Sequence, residues 1–386
     1  MAGRREFLGT VARASAYALA LGALPPWARA AIAQTRQPAT PVDLLVRNPW
    51  PEHFETTMEA LGRSWITANE RFFVRCHFPA PEIDLTNYRL EVSGLVRNPL
   101  SIPLSEVLRL PLVEATHTLE CAGNGRGLFK LPNTSGTQWE RGAVGTATWG
   151  GVRLSILMRR AELLPEARHV WFEAADRAPL PDVPPFLRSI PVEKAIADTL
   201  LVHQMNGEPL PRLHGAPLRA IVPGWYGMAS TKWVTRIRVE AQPSDNHFMA
   251  RGYRYVYPGD DPTVTPPPPV EEMRVKSVIT RPIQNSRVAI GKVRVQGFAW
   301  AGAAGVRLVE VSTDLGKSWR PAGFMGDTQP LAWRAWATEV EIKVPARMKV
   351  MARATDGQGQ TQPLEAPANA AGYANNSIHQ VSFSVA

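Results

Sequence analysis

The run Thr118-Leu119-Glu120-Cys121-Ala122-Gly123-Asn124-Gly125-Arg126-Gly127 places one cysteine after a short apolar segment and follows it with small residues and an arginine. A thiol in such surroundings can be exposed, and a neighbouring guanidinium lowers its pKa. Glycines let the backbone approach a bulky ligand closely. Two plainer readings stand beside this one. A lone cysteine is most often a buried structural thiol, and Cys121 could pair with Cys76 in an oxidising compartment. Two cysteines cannot build a disulfide framework, nor a four-ligand zinc site without several histidines at ligand spacing.

Outward from this segment, the chain runs to 386 residues, which fits two domains better than one. A hydrophobic share of 45% with 20% charged residues excludes fibrous and disordered classes. The 35 prolines and 29 glycines favour loops and short strands over long helices. No apolar run long enough to span a bilayer lies beyond the N-terminus, so the mature chain is expected to have no transmembrane segment. The net charge is +9, of which Arg4, Arg5, Arg13 and Arg29 against Glu6 contribute +3. The remaining arginines are spread out with no basic block interleaved with aromatics, which argues against nucleic acid and for a small anion.

Residues 1–33 have the form of an export signal. Arg4-Arg5-Glu6-Phe7-Leu8 precedes a weak apolar stretch, and Ala28-Arg29-Ala30 and Ala31-Ile32-Ala33 offer cleavage sites. The paired arginines match a twin-arginine signal, which implies a periplasmic protein exported folded with its cofactor inserted. Residues 34–258 mix short strands (Tyr88–Val92, Val170–Glu173, Val234–Val239) with short amphipathic helices such as Gly151–Leu163, an α+β pattern. Residues 259–272 are a proline-rich, stiff linker. Residues 273–386 alternate in short strands, with Val340, Ile342 and Val344 on one face and turns at Asp314-Leu315-Gly316 and Asp356-Gly357, as in an immunoglobulin-like β-sandwich.

The cysteine segment resembles the molybdenum-binding motif of the sulfite oxidase family, and further blocks match in order. They are Phe72-Phe73-Val74-Arg75-Cys76-His77-Phe78-Pro79, Met205 to Pro211, His214 to Arg219, and Val222 to Trp233, with Gly372 to His379 resembling the end of the family's dimerisation domain. The resemblance implies a sulfite-oxidase-type molybdopterin domain followed by an immunoglobulin-like dimerisation domain in a homodimer. It implies a molybdenum–molybdopterin cofactor with Cys121 as the metal's protein ligand, since soft sulfur suits such a metal. Arg75, Cys76, His77, His214, Arg219, Ser230, Thr231 and Lys232 match cofactor-holding positions, and Asp176 would accept from the pterin N–H groups. Arg forks and Lys ammonium groups suit its phosphate. Arg75 and Arg126 match the substrate arginines and Trp139 a pocket wall, although an isolated tryptophan is more often core.

Three positions depart from the family pattern. Cys76 stands in place of Asn, His203 in place of a Tyr expected near the metal, and Ala371 in place of an Arg. At His203 an imidazole would titrate near pH 6.5 and help to hold an anion. The implied activity is oxidation of sulfite to sulfate with electrons passed to a c-type cytochrome, because no haem attachment motif is present. Alternatives are a sulfane-sulfur dehydrogenase or an S- or N-oxide reductase on the same centre. A cofactor-free binding protein is the alternative of another class.

Overall fold

The computed structural model describes residues 43–129, 134–178, 180, 183–261 and 265–386. The export signal expected over residues 1–33 lies outside them.

The first domain is built on three sheets. A small one pairs Leu44–Asn48, His53–Thr56 and Val74–Arg75. A second runs Glu208–Pro209, Leu200–Met205, Val144–Arg153, Val113–Glu120, with Arg219–Ile221 also paired to Leu200–Met205. A third has the order Leu100–Pro103, Arg89–Gly94, Val234–Glu240, His169–Ala174, Leu187–Pro191. All these pairs are antiparallel except Arg89–Gly94 with Val234–Glu240. The three strands expected from alternation, around residues 88, 170 and 234, are central members of this third sheet. Leu90, Val92, Val170, Phe172, Ile237 and Val239 are fully buried along one face of it.

The helix expected over Gly151–Leu163 is shorter, Leu154–Ala161. Leu154, Leu157, Met158 and Ala161 recur at helical spacing and face the core. Gly151 belongs instead to the preceding strand, because a side chain there would lie 2.3 Å from the Leu201 carbonyl oxygen of the paired strand. The missing Cβ extends the strand and delays the helix.

Residues from Lys276 onward form two stacked sheets. One orders Lys276–Arg281, Gly291–Trp300, Arg334–Ile342 and Gly323–Met325. The other orders Arg287–Val288, His379–Val385, Ala346–Asp356, Val306–Ser312 and Arg320–Pro321. Their facing side chains, among them Val295, Val309, Trp336, Val350 and Phe383, make a separate apolar core. Val344, expected on the same face as Val340 and Ile342, is 64% exposed because the strand ends at Ile342.

The proline-rich linker does not hold the two domains apart. Tyr226 N–H donates to Glu271 O at 2.9 Å, Met273 N–H donates to Gly224 O at 2.9 Å, and Val270 is fully buried. Composition implied an extended chain, and burial of its apolar members fastens that chain to the first domain. A third apolar cluster spans both domains, with Trp300, Trp333 and Phe298 of the sandwich against Tyr226, Met228, Tyr253 and Ala122. Phe298 and Trp333 stack with ring centroids 4.2 Å apart.

Candidate active site

The cysteine loop begins where strand Val113–Glu120 stops. Cys121 N–H donates to Ala143 O at 2.9 Å, and a tight turn returns Asn124 N–H to Cys121 O at 2.9 Å. Gly125 follows with φ +91, in the left-handed region, and a side chain on it would meet Asn375 at 2.9 Å. The sequence reading assigned these glycines to close approach of a ligand. At Gly125 the space goes instead to a residue of the C-terminal domain.

Cys121 lines a cavity between the strand end and the Arg219 and Lys232 segments. Burial raises its thiol pKa, opposed by Arg75 and Arg126, so desolvation outweighs the guanidinium effect expected from sequence. Arg75, His77, Asp176, His214, Arg219, Ser230, Thr231 and Lys232 line the same cavity. Eight polar positions, seven from three separate sequence blocks and Asp176 from just beyond strand His169–Ala174, are thus brought together with the cysteine.

The walls are short of polar partners. Arg219 is buried, with Nη1–H donating to His214 O at 2.9 Å and Nη2–H to Ser230 O at 3.3 Å, while its Nε has no partner. Burial lowers its pKa to about 9. Lys232 is half-buried; its ammonium donates to Leu213 O at 2.9 Å and to Cys76 Sγ at 3.0 Å. Arg75 Nη1, Thr231 Oγ1 and Asp176 Oδ1 are buried without a hydrogen-bond partner. Asp176 has its pKa raised to about 6 by burial. His214 Nε2–H donates to Asn69 O at 3.1 Å, and burial beside Arg219 and Lys232 lowers its pKa to about 3, leaving a neutral ring.

Some expected residues stand elsewhere. Cys76 is fully buried behind Lys232 and does not line the cavity. Arg126 is anchored on backbone, with Nε–H to Ala371 O at 2.8 Å and Nη1–H to Thr137 O at 3.0 Å, and its guanidinium lies over the Tyr373 ring. Trp139 is core, packed in one cluster with Phe72, Phe73 and Trp149. His203, on strand Leu200–Met205, is buried outside the cavity lining. Burial lowers its pKa to about 4, so the imidazole is neutral through the range in which it was expected to charge.

Tyr253 is a cavity residue that the sequence reading missed. Its hydroxyl is 2.9 Å from His77 Nε2. Burial raises the Tyr253 pKa and depresses that of His77, so both groups are neutral and share one hydrogen bond. No spacing signal marks Tyr253; it reaches the wall by tertiary folding alone.

Buried cations with open donors call for an anionic ligand. An unpartnered buried carboxyl beside them calls for N–H donors, and a single cysteine at the floor of the cavity suits a metal whose other ligands come from elsewhere. That donor set fits molybdopterin, a phosphate-ended pterin dithiolene, and defines the class as a molybdopterin oxidoreductase. The family models agree: one described as oxidoreductase molybdopterin binding domain matches residues 77–248, and one described as Mo-co oxidoreductase dimerisation domain matches residues 268–386. Mitochondrial sulfite oxidase of Mus musculus is 35% identical over 89% of this chain, which spans 66% of that protein's length. Sulfite oxidase of Arabidopsis thaliana is 33% identical over 90% of this chain and 95% of its own. The crystal structure of the sulfane dehydrogenase SoxCD from Paracoccus pantotrophus superposes with a TM-score of 0.78 at 30% identity, covering 88% of this chain and 86% of that one. This chain belongs to the sulfite oxidase family, and its cofactor is molybdenum–molybdopterin.

Proposed function

We propose that this protein oxidises sulfite to sulfate in the periplasm, after twin-arginine export, and passes the electrons to a c-type cytochrome. Arg75 Nη1, buried and unpartnered in the same cavity as Cys121, carries the reading, because it offers a desolvated donor to a small oxyanion. Sulfite and water give sulfate, two protons and two electrons. The bound molybdenum supplies the two-electron chemistry at sulfur. Cys121 would be its thiolate ligand, and Arg219, Lys232 and Thr231 would hold the phosphate end of the pterin. Asp176 would accept from the pterin N–H groups. Tyr253 and His77 Nε2 share a hydrogen bond that fixes the orientation of the imidazole at the cavity wall. Arg126 acts from behind the loop, its charge directed by the backbone oxygens of Ala371 and Thr137. Association into a homodimer through residues 273–386 belongs to the same reading, supported by the family model that matches there.

Sulfite-dependent reduction of cytochrome c by the purified holoenzyme tests the proposal. Turnover with sulfite supports it; no turnover by a fully loaded enzyme refutes it. A sulfane-sulfur substrate is the second reading. It is favoured by the likeness to SoxCD together with His203 and Ala371, and is tested by the same assay with thiosulfate.

A further inference from the structure

The turn that carries Cys121 is held at several points by the C-terminal domain. Glu120 and Lys276 form an ion pair at 2.8 Å with each side chain 1% exposed. Glu120 Oε1 also accepts from Asn124 Nδ2 at 2.9 Å, and Oε2 accepts from the indole N–H of Trp300 at 2.8 Å. The Lys276 ammonium makes a second bond, to Asn124 O at 3.2 Å. One buried cation from the sandwich is therefore tied to both ends of the turn, at residue 120 through its carboxylate and at residue 124 through its carbonyl. On the next stretch, Ala374 N–H donates to Ala122 O at 2.8 Å and Asn375 Nδ2 donates to Gly125 O at 2.9 Å.

The first domain contributes less to the same loop. Cys121 N–H reaches Ala143 O at 2.9 Å and Ala143 N–H reaches Asn124 Oδ1 at 3.2 Å. A metal with one protein ligand has no second protein side chain to correct a misplaced sulfur. The backbone around that sulfur must be set by its supporting shell.

We infer that the C-terminal domain, beyond any part in association, holds the Cys121 turn in its metal-binding shape, with Lys276 as the positioning residue acting through Glu120 and Asn124. A buried carboxylate that keeps its other donors but loses this cation is an uncompensated charge within the turn, and the turn must distort or take up water to accommodate it. The pterin cradle at Arg219 and Lys232 lies on other segments and stays as it is. The inference rests on molybdopterin as cofactor and Cys121 as ligand, and is independent of which sulfur compound is oxidised.

The test is made on the full-length holoenzyme. Molybdenum per chain, pterin per chain, the thiolate-to-molybdenum charge-transfer absorption and the melting temperature are measured for wild type, Lys276→Met, Trp300→Phe and Glu120→Gln/Lys276→Met. Lys276→Met should keep pterin but lose about 10- to 100-fold in metal affinity, with loss of the charge-transfer band. The double variant removes both charges and should recover metal and band in part. Trp300→Phe, which keeps an aromatic ring but removes the indole N–H to Glu120, should lose metal in the same direction; it decides the matter where Lys276→Met does not fold. Wild-type molybdenum and absorption in Lys276→Met, or in Trp300→Phe where Lys276→Met does not fold, overturn the inference. So does metal lost only in step with pterin and folded protein, or a double variant as depleted as the single. Wild type without molybdenum or pterin would instead overturn the cofactor reading.

Discussion

Replacing Lys232 by methionine should move the apoprotein and its cofactor binding in opposite directions. The half-buried ammonium sits 4.1 Å from the centre of the Trp233 ring and, among the described residues, donates to the Leu213 carbonyl and the Cys76 sulfur. No carboxylate pairs with it among the described residues. Enclosing an ion costs several kcal/mol after relaxation. The lost bond to Leu213 O and the lost ring interaction return about 1–3 kcal/mol and about 1–2 kcal/mol of that. The apo variant should therefore gain about 1–2 kcal/mol, a rise of roughly 2–8 °C in melting temperature. If Lys232 holds the pterin phosphate as proposed, the same ammonium would supply a charge-assisted bond worth about 1.5–3 kcal/mol in the holoprotein, so pterin affinity should fall about 10- to 150-fold. Burial depresses the Lys232 pKa below its ordinary 10.5, so between the two values the unfolded chain holds more protons than the native one. Wild-type apo stability should rise with pH across that window, and the variant should lose that contribution. Scanning calorimetry of apoprotein made without pterin synthesis, and fluorescence of the pterin released from holoprotein, measure the two arms. Joint loss of stability and pterin, or unchanged pterin content, would refute the reasoning.

Cys121→Ser should retain the fold and most of the pterin but no turnover, since a hydroxyl is a poor substitute for a soft thiolate; full activity in that variant would remove the metal assignment. His203→Tyr should leave the pH profile of kcat/KM unchanged between pH 6 and 8, because the imidazole is already neutral there and lies outside the cavity; a flattened profile would return it to the site. His203 and His214, held at pKa values of about 4 and about 3, bind fewer protons folded than unfolded below pH 6.5. Each should therefore withdraw up to about 1.4 kcal/mol of stability per pH unit as the pH falls from 6.5 towards those values. Urea titrations at pH 7 and pH 5 check this, and a His203→Gln variant should show the smaller difference. Lysines in place of Arg4 and Arg5 should leave unprocessed protein in the cytoplasm, and fractionation that still finds it in the periplasm would show the leader misread.

The cysteine segment and the ordered blocks around it were legible in the sequence because their chemistry is local. Small residues around Cys121, the cations of the Arg219 and Lys232 blocks, and the period-two strands around residues 90, 170 and 237 depend on near neighbours. Tertiary structure decided what depends on partners far apart in the chain. Gly125 turned out to admit Asn375, the linker turned out to be buried at Val270, and Tyr253 came to the cavity wall without any motif. His203 and Trp139 match family positions by order in the sequence, yet Trp139 packs into the core from a loop, and whether His203 on its strand reaches the cavity depends on which face it takes and on the local register. Leu200–Met205 carries a register shift between Val202 and Gln204. The sequence by itself determined which atoms were available for chemistry, since residue type sets charge, softness and hydrogen-bonding capacity. Only the tertiary structure decided which of them were dehydrated and left unpartnered in one cavity, because burial depends on every segment that packs there, down to Lys276 of the second domain beneath the cysteine of the first.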